Sequence, residues 1–437
     1  LLQIKNNMVR NYNIALIGLG NIGSYLYNYL KKNKKLLIER NNISLTIKYV
    51  AVKNLKKKRK IKIDKKLIVK NYLDIVKKTD VDIIIELIGG ADGAAKNLVF
   101  AALKNKKHVV TANKALIAKY GDQLAKIAET NKVNLEYEAA VCGGVPIIRT
   151  LKEGLLANSI KKIYGIYNGT TNFILSKMDY EKFNYKTSLK IAQSLGYAES
   201  KPDADINGSD VAAKLNILSA LSFNSLVEKN NIYVEGIKNI DSDDIQYANI
   251  LGYKIKLLGI AEQINDELYQ RVHPCLVDSK SYIANISGVL NAVIIESNPV
   301  GTSIIQGEGA GPKATTSALV SDIASIARGN IKQPFMIPAK KRKKINYKSI
   351  NELRFSYYLR FDVKDKFGVL SKITNILSKN KISIKRLIQN PNNLKKNASI
   401  VLVTHTSLEA NMQKALKTLT NLKYVNSNPK MIRIETV

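Results

Sequence analysis

The stretch Gly196–Leu218, GYAESKPDADINGSDVAAKLNIL, gathers side chains whose types and spacing suit proton chemistry. Glu199, Asp203, Asp205 and Asp210 crowd its polar half, and Val211, Leu215 and Leu218 then recur at helical spacing. Asp210 and Lys214 stand four residues apart, which makes a carboxylate and an amine neighbours on one helix face. Asn207 or Ser209 is the expected cap. Two readings follow. One is a capped surface helix with a solvated ion pair of little energetic worth. The other is a carboxylate cluster that grips a substrate amine while a lysine moves a proton.

The elements that must position these groups begin with a strand over Asn13–Ile17 and the turn Gly18-Leu19-Gly20-Asn21-Ile22-Gly23, followed by helical spacing through Ser24–Leu30. Strand, glycine turn and helix together form a dinucleotide fingerprint, in which the glycines admit a pyrophosphate to the helix N-terminus. The next strand, Leu45–Val52, leads to Lys53, Lys57 and Arg59 where NAD binders keep a ribose-binding acid, so a 2′-phosphate and hence NADP is favoured, with NAD possible. A third strand, Val81–Ile88, precedes the helix Ala94–Leu103, and the strand His108–Thr111 delivers Lys114 to the ligand edge of a parallel sheet. Val133–Ala140 reads as a further strand. Its Glu138 introduces the loop Val141-Cys142-Gly143-Gly144-Val145-Pro146, which is either a bend or an oxygen-lined site for a hard monovalent cation.

A strand over Ile163–Ile166 runs into the polar turn Asn168-Gly169-Thr170-Thr171-Asn172, suited to hydrogen-bonding a small polar ligand. Tyr253–Gln263, Arg271–Pro274 and Ala292–Ser297 read as strands of an open sheet. Gly307-Glu308-Gly309-Ala310-Gly311 then starts a second glycine-led helix, Thr315–Ala327, which returns the chain to the cofactor crevice. Lys340–Lys344 reads as a solvated basic linker. From Phe355 the order is β-α-β-β-α-β, a ferredoxin-like unit without a catalytic cluster, suited to ligand sensing or dimerisation.

Bulk composition narrows the function classes. A chain of 437 residues with 45% hydrophobic residues has room for two or three domains. Three histidines make a histidine-based triad or multi-histidine metal site improbable, which leaves Lys, Asp, Glu or Tyr as acid and base. Cys142 and Cys275 lack zinc spacing and are expected as buried free thiols. The net charge of +34 is spread through every segment, and the absence of Trp or a stacking-aromatic repeat argues against specific nucleic-acid binding. Without an apolar run of membrane-spanning length, a cytoplasmic protein is expected. Leu1 to Asn7 read as an extension ahead of Met8.

Taken in order, GLGNIG at 18–23, VDIIIELIGG at 81–90, VTANKALIA at 110–118, NGTTNFIL at 168–175, the acidic stretch at 196–215, RVHP at 271–274 and GEGAG at 307–311 resemble monofunctional bacterial homoserine dehydrogenases with a C-terminal ACT domain. The resemblance implies NAD(P)-dependent interconversion of L-homoserine and L-aspartate 4-semialdehyde in threonine, methionine and isoleucine biosynthesis. It implies an α/β Rossmann-type domain at 8–140 with a return segment at 306–335. An α+β substrate and dimerisation domain with an open sheet would follow at 141–305, then a linker at 336–353 and a ferredoxin-like ACT domain at 354–437. By the same resemblance, Glu199, Asp205 and Asp210 hold substrate with Thr170 and Tyr197. Lys214 is the acid/base, and Lys114 lies close to substrate and nicotinamide. Glu138 and the carbonyls of Val141, Gly143 and Val145 surround sodium, and cofactor contacts fall at Gly18 to Gly23, Ile88, Lys114 and the Gly309 region. A homodimer or homotetramer and threonine feedback at the ACT domain are implied as well. Phe367-Gly368 stands where many ACT domains have proline before the loop glycine, and the bulky ring alters the effector loop.

Overall fold

Strand β1 (Arg10–Ile17) buries Ile14, Ala15, Leu16 and Ile17 almost completely, as an apolar run must when both faces of a parallel sheet are covered. The computed structural model describes residues 9–54, 59, 61–228, 231–329, 331–392 and 397–437, which form two compact units. Lys57 and the extension 1–7 lie outside the described residues. The first unit contains 1–163, 213–230 and 291–345. Its sheet joins β1 to β2 (Ile43–Ala51), β3 (Ile68–Val69), β4 (Ile83–Glu86), β5 (His108–Thr111) and β6 (Leu135–Glu136) in the order β3-β2-β1-β4-β5-β6. All five pairings are parallel. This doubly wound order reverses between β1 and β4, and ligands bind outside the strand ends at such a reversal.

The helix Pro312–Ala327 packs Leu319, Ile323 and Ile326 into the same core as Ile14, Leu16, Leu26, Tyr27 and Leu30. A late segment of the chain thereby returns to the nucleotide-binding sheet. Two expectations need correction in this unit. The strand expected over Val133–Ala140 is only Leu135–Glu136, because the backbone tightens into a 3₁₀ turn at Glu138–Ala140. The basic segment Lys340–Lys344 is not simply solvated: Arg342 is buried, stacks 3.9 Å from the Phe335 ring centre, and pairs with Asp122 at 2.5 Å. A guanidinium that covers an aromatic face and meets a carboxylate can be buried where a lysine would be costly.

The second unit contains 164–212, 231–290 and 346–437. Its strands Tyr253–Ile264 and Glu267–Asp278 form a full antiparallel hairpin across Asn265 and Asp266. Both turn residues have positive φ, 49° and 63°, as a two-residue turn matched to strand twist requires. The strand Lys430–Ile434 adds to this hairpin through Cys275 opposite Arg433. It then pairs with Arg354–Lys364, which continues to Asn397–Thr404 and Ile384–Asn392. With helices Val369–Lys379 and Glu409–Thr420, this is the expected β-α-β-β-α-β order. The RVHP segment forms the seam: Arg271 meets both Glu435 oxygens at 2.7 and 3.0 Å, and His273 lies buried between Tyr233 and Phe355.

Beside that seam, Arg433 is 1% exposed and bonds both oxygens of the buried Glu409 at 3.0 and 2.6 Å. Arg433 also meets Glu235 at 3.0 Å, so removing Glu409 leaves it partly paired, and the cost is expected at about 3 kcal/mol, the low end for breaking a buried ion pair. Glu409→Ala is therefore expected to lower stability by about that amount in urea unfolding, with much of the loss recovered when Arg433 is also replaced by Met. Equal stability of Glu409→Ala and the parent would contradict the assignment.

Candidate active site

At the C-terminal ends of β1, β4 and β5 lies a cleft of about 290 Å³, lined by Gly20 to Gly23, Glu86 to Gly89, Ala112 and Asn113. Two of the fingerprint glycines are demanded by packing. A side chain on Gly18 would reach 2.4 Å from the Leu87 carbonyl, and one on Gly23 would reach 2.1 Å from the Gly18 carbonyl. Gly20 differs, since nothing lies within 4 Å of where its side chain would be. The space over the first turn of the helix Asn21–Lys32 is open, and a helix start without a side-chain cap offers its N–H groups to an anion. These residues fit a dinucleotide pyrophosphate.

The opposite wall is held by Glu86, a buried carboxylate at the end of an otherwise apolar strand. One oxygen accepts from the N–H groups of Ile88 and Gly89 at 2.7 and 3.0 Å, and the other accepts from Thr111 at 2.6 Å. Asn113 caps the helix Lys114–Thr130 through Leu116 N–H and donates to the Gly90 carbonyl at 2.7 Å. This network sets the Ile88 turn and the helix start that carries half-buried Lys114. Ile88 is 41% exposed, an apolar surface at the cleft. Lys53 is exposed just beyond β2.

Glu138 is 3% exposed and accepts from the backbone N–H groups of Ile148 and Arg149, both at 2.8 Å. Its own N–H donates to Asp322 at 3.0 Å. Burial pushes the Glu138 carboxyl up to about 7, against the pull of those two N–H groups and Arg149. Burial also raises Asp322 well above the carboxylate range, with Glu136 and Glu138 adding to the rise. In the adjoining loop, the Val145 carbonyl accepts from Ile147 at 2.7 Å, and Gly144 N–H donates to the Glu308 carbonyl at 2.9 Å. No hydrogen bond is made to the Val141 or Gly143 carbonyl among the described residues. Gly309 rests directly on the amide of buried Asn291, where any side chain would collide.

The acidic stretch folds as a short helix, Asp203–Ile206, and then the helix Ser209–Ser222, whose start is turned by Asn207 accepting from Ser209 N–H at 2.9 Å. Asp210 and Lys214 are 8% and 9% exposed, so the solvated-pair reading does not hold. Asn168 donates to Asp205 at 2.8 Å and to Asp210 at 2.9 Å. Thr170 donates to the Tyr197 carbonyl at 2.7 Å. The second unit thus brings Asp205 and Asp210 together around one amide and joins Thr170 to Tyr197. Glu199 is exposed, with its carbonyl held by Gln193.

Family models for the homoserine dehydrogenase NAD-binding domain, homoserine dehydrogenase and the ACT domain match residues 18–138, 146–324 and 357–423. A homoserine dehydrogenase of Neisseria gonorrhoeae is 39% identical, over 97% of this chain and 99% of its own. One of Helicobacter pylori is also 39% identical, over 98% and 100%. The chain belongs to the homoserine dehydrogenase family. The solved structure of a homoserine dehydrogenase from Thiobacillus denitrificans superposes with a TM-score of 0.89 at 38% identity, covering 98% of both chains. The activity is accordingly the NAD(P)-dependent interconversion of homoserine and aspartate semialdehyde in amino-acid biosynthesis. Among the described residues no helix is long and apolar enough to cross a membrane, and both cysteines are buried without a disulfide.

Sequence reading placed Asn168 in a ligand-binding turn without its reach to Asp205 and Asp210, and missed Glu86 and Asp322 as site residues. Each had a signal: an amide just before a helix, and acids set in the apolar runs IIIE and ALVSDIASIA. His273, Cys275 and Glu435 are the group of ligand-type side chains close enough to share an ion among the described residues, but Arg271 occupies both Glu435 oxygens. Because the folded Glu138 holds its proton to about 7 rather than 4.5, the folded state binds more protons between those values, and stability declines as pH rises through that window. Unfolding midpoints taken from pH 5 to 8 in a bulky organic-cation buffer are expected to fall, and Glu138→Gln is expected to flatten that fall. An unchanged slope in the variant would assign the linkage to Asp322.

Proposed function

We propose that Lys214 is the general acid and base of the family reaction and that Asp205 and Asp210 hold the substrate ammonium. The single observation that supports this most is the convergence of both carboxylates on Asn168, with Lys214 buried one helical turn beyond Asp210. Glu199, Thr170 and Tyr197 complete the substrate contacts, and Lys114 lies beside substrate and coenzyme. An oxidised nicotinamide, when bound, would supply the hydride acceptor for alcohol oxidation at the carbinol carbon. Lys214 accepts the hydroxyl proton in that direction and returns it in the other, directly or through water. Asp210, engaged by the substrate amine, keeps the lysine in place without neutralising it fully.

The coenzyme binds at Gly18, Leu19, Gly20, Asn21, Ile22, Gly23, Ile88, Lys114 and Gly309, and Lys53 favours NADP by pairing with a 2′-phosphate. The exposure of Lys53 just past β2 supports that preference. Glu138 with the carbonyls of Val141, Gly143 and Val145 binds sodium, a reading supported by the burial of the Glu138 carboxylate and by Val141 and Gly143 carbonyls that accept no hydrogen bond among the described residues. The assembly is a homo-oligomer, and the ACT domain takes an amino-acid effector, threonine or another, with Phe367 fully exposed in its loop. The domain limits are 8–140 with 306–335, 141–305, 336–353 and 354–437.

Lys214→Ala is expected to lose about 10²- to 10⁴-fold in turnover while coenzyme binding, followed by NADPH fluorescence, is kept. Near-parental turnover would remove the lysine from the chemistry. Lys53→Ala is expected to raise the KM for NADP about tenfold, the effect of one lost phosphate contact, and to leave NAD unchanged. Equal changes for both would refute the preference.

A further inference from the structure

Asn168 is the N-cap of the helix Gly169–Tyr180, and its side-chain carbonyl accepts from Thr171 N–H at 2.8 Å and from the Thr171 hydroxyl at 3.0 Å. Those bonds determine the amide's orientation, because only the oxygen end can accept from a backbone N–H. The nitrogen end must therefore face the acids. Both of its hydrogens are used, one on Asp205 at 2.8 Å and one on Asp210 at 2.9 Å. Asn168 is 5% exposed and Asp210 8%, so the bond between them is buried, while Asp205 is half-buried.

We infer that Asn168 is a positioning residue for substrate binding: its amide bridges Asp205 and Asp210 and presents the two carboxylates as one receptor for the homoserine ammonium. The inference rests on the proposal that these carboxylates bind the ammonium. Two acids that share a planar amide nitrogen have their bonded oxygens about 5 Å apart. Left alone, two like charges at that distance repel and turn away from each other. A donor with one hydrogen for each holds both in place, and by fixing which oxygen of each faces Asn168 it also fixes where the other oxygen points. The chain spacing shows the cost of doing without it. Asp205 and Asp210 come from separate helices, and the bonds from Asn168 span 37 and 42 residues.

The cap and the bridge use opposite ends of the same amide, so they can be separated by substitution. Asp at position 168 caps as well as Asn, has nearly the same shape, and cannot donate. Ser also caps, with a single O–H. For the full-length enzyme, Asn168→Asp is expected to raise the KM for homoserine about a hundredfold, since it removes two bonds to charged groups and adds a like charge. Asn168→Ser is expected to raise it about tenfold. In both, kcat and the KM for NADP should stay within about threefold of the parent, because what is lost is binding common to ground and transition states. A purely structural cap would leave the KM for homoserine alone.

Asp205→Asn and Asp210→Asn, measured beside them, separate the two ideas. If these raise the KM for homoserine while both Asn168 variants match the parent within about twofold, the bridging role is wrong and the carboxylate assignment survives. If neither Asp variant moves it, the carboxylate assignment fails and the inference falls with it. Should Asn168→Asp not fold, Asn168→Ser decides alone, with a parental KM overturning the bridge.

Discussion

Holding two carboxylates of the same charge close together is the constraint on which the rest of this structure depends. Asp205 and Asp210 meet that constraint through the amide of Asn168, which is oriented by its own capping bond to Thr171. The capping requirement of one helix and the charge requirement of the acidic stretch are therefore solved by one side chain. Asp210 in turn fixes the helical face on which Lys214 lies, because residues four apart share a face.

A parallel economy runs through the nucleotide-binding unit. Its sheet places the ends of β1, β4 and β5 around one cleft, and backbone proximity at Gly18 and Gly23 leaves no room for side chains there. Glu86 plays for the facing wall the part that Asn168 plays for the acids: a buried polar group, fully engaged, that holds neighbouring backbone in one arrangement. Fully satisfied buried networks of this kind specify a single geometry, whereas a partly satisfied one would be costly. Glu138 sits in a third such network, with its burial opposed by two N–H groups at the start of a short helix.

What could be read in the sequence was whatever depends on local pattern. The glycine turn, the apolar strands and the β-α-β-β-α-β order are visible because periodicity and turn chemistry are set within a dozen residues. The proximity of Asp210 and Lys214 was equally legible, being a property of any helix. Long-range pairing was not. Nothing local says that Asn168 reaches Asp205 and Asp210, that Arg271 crosses 164 residues to Glu435, or that Arg342 is buried against Phe335. The strand over 133–140 was overextended because Glu138 and the alanines after it are as apolar in surroundings as a strand interior, and only the backbone reveals the 3₁₀ turn.

The most direct test of this account is a crystal structure of the enzyme with homoserine and an oxidised coenzyme that cannot accept hydride. The account places the substrate ammonium between Asp205 and Asp210, and its hydroxyl within about 3.2 Å of the Lys214 amine or one water away. A homoserine hydroxyl beyond the reach of Lys214 even through a water, with the ammonium held elsewhere, would contradict it.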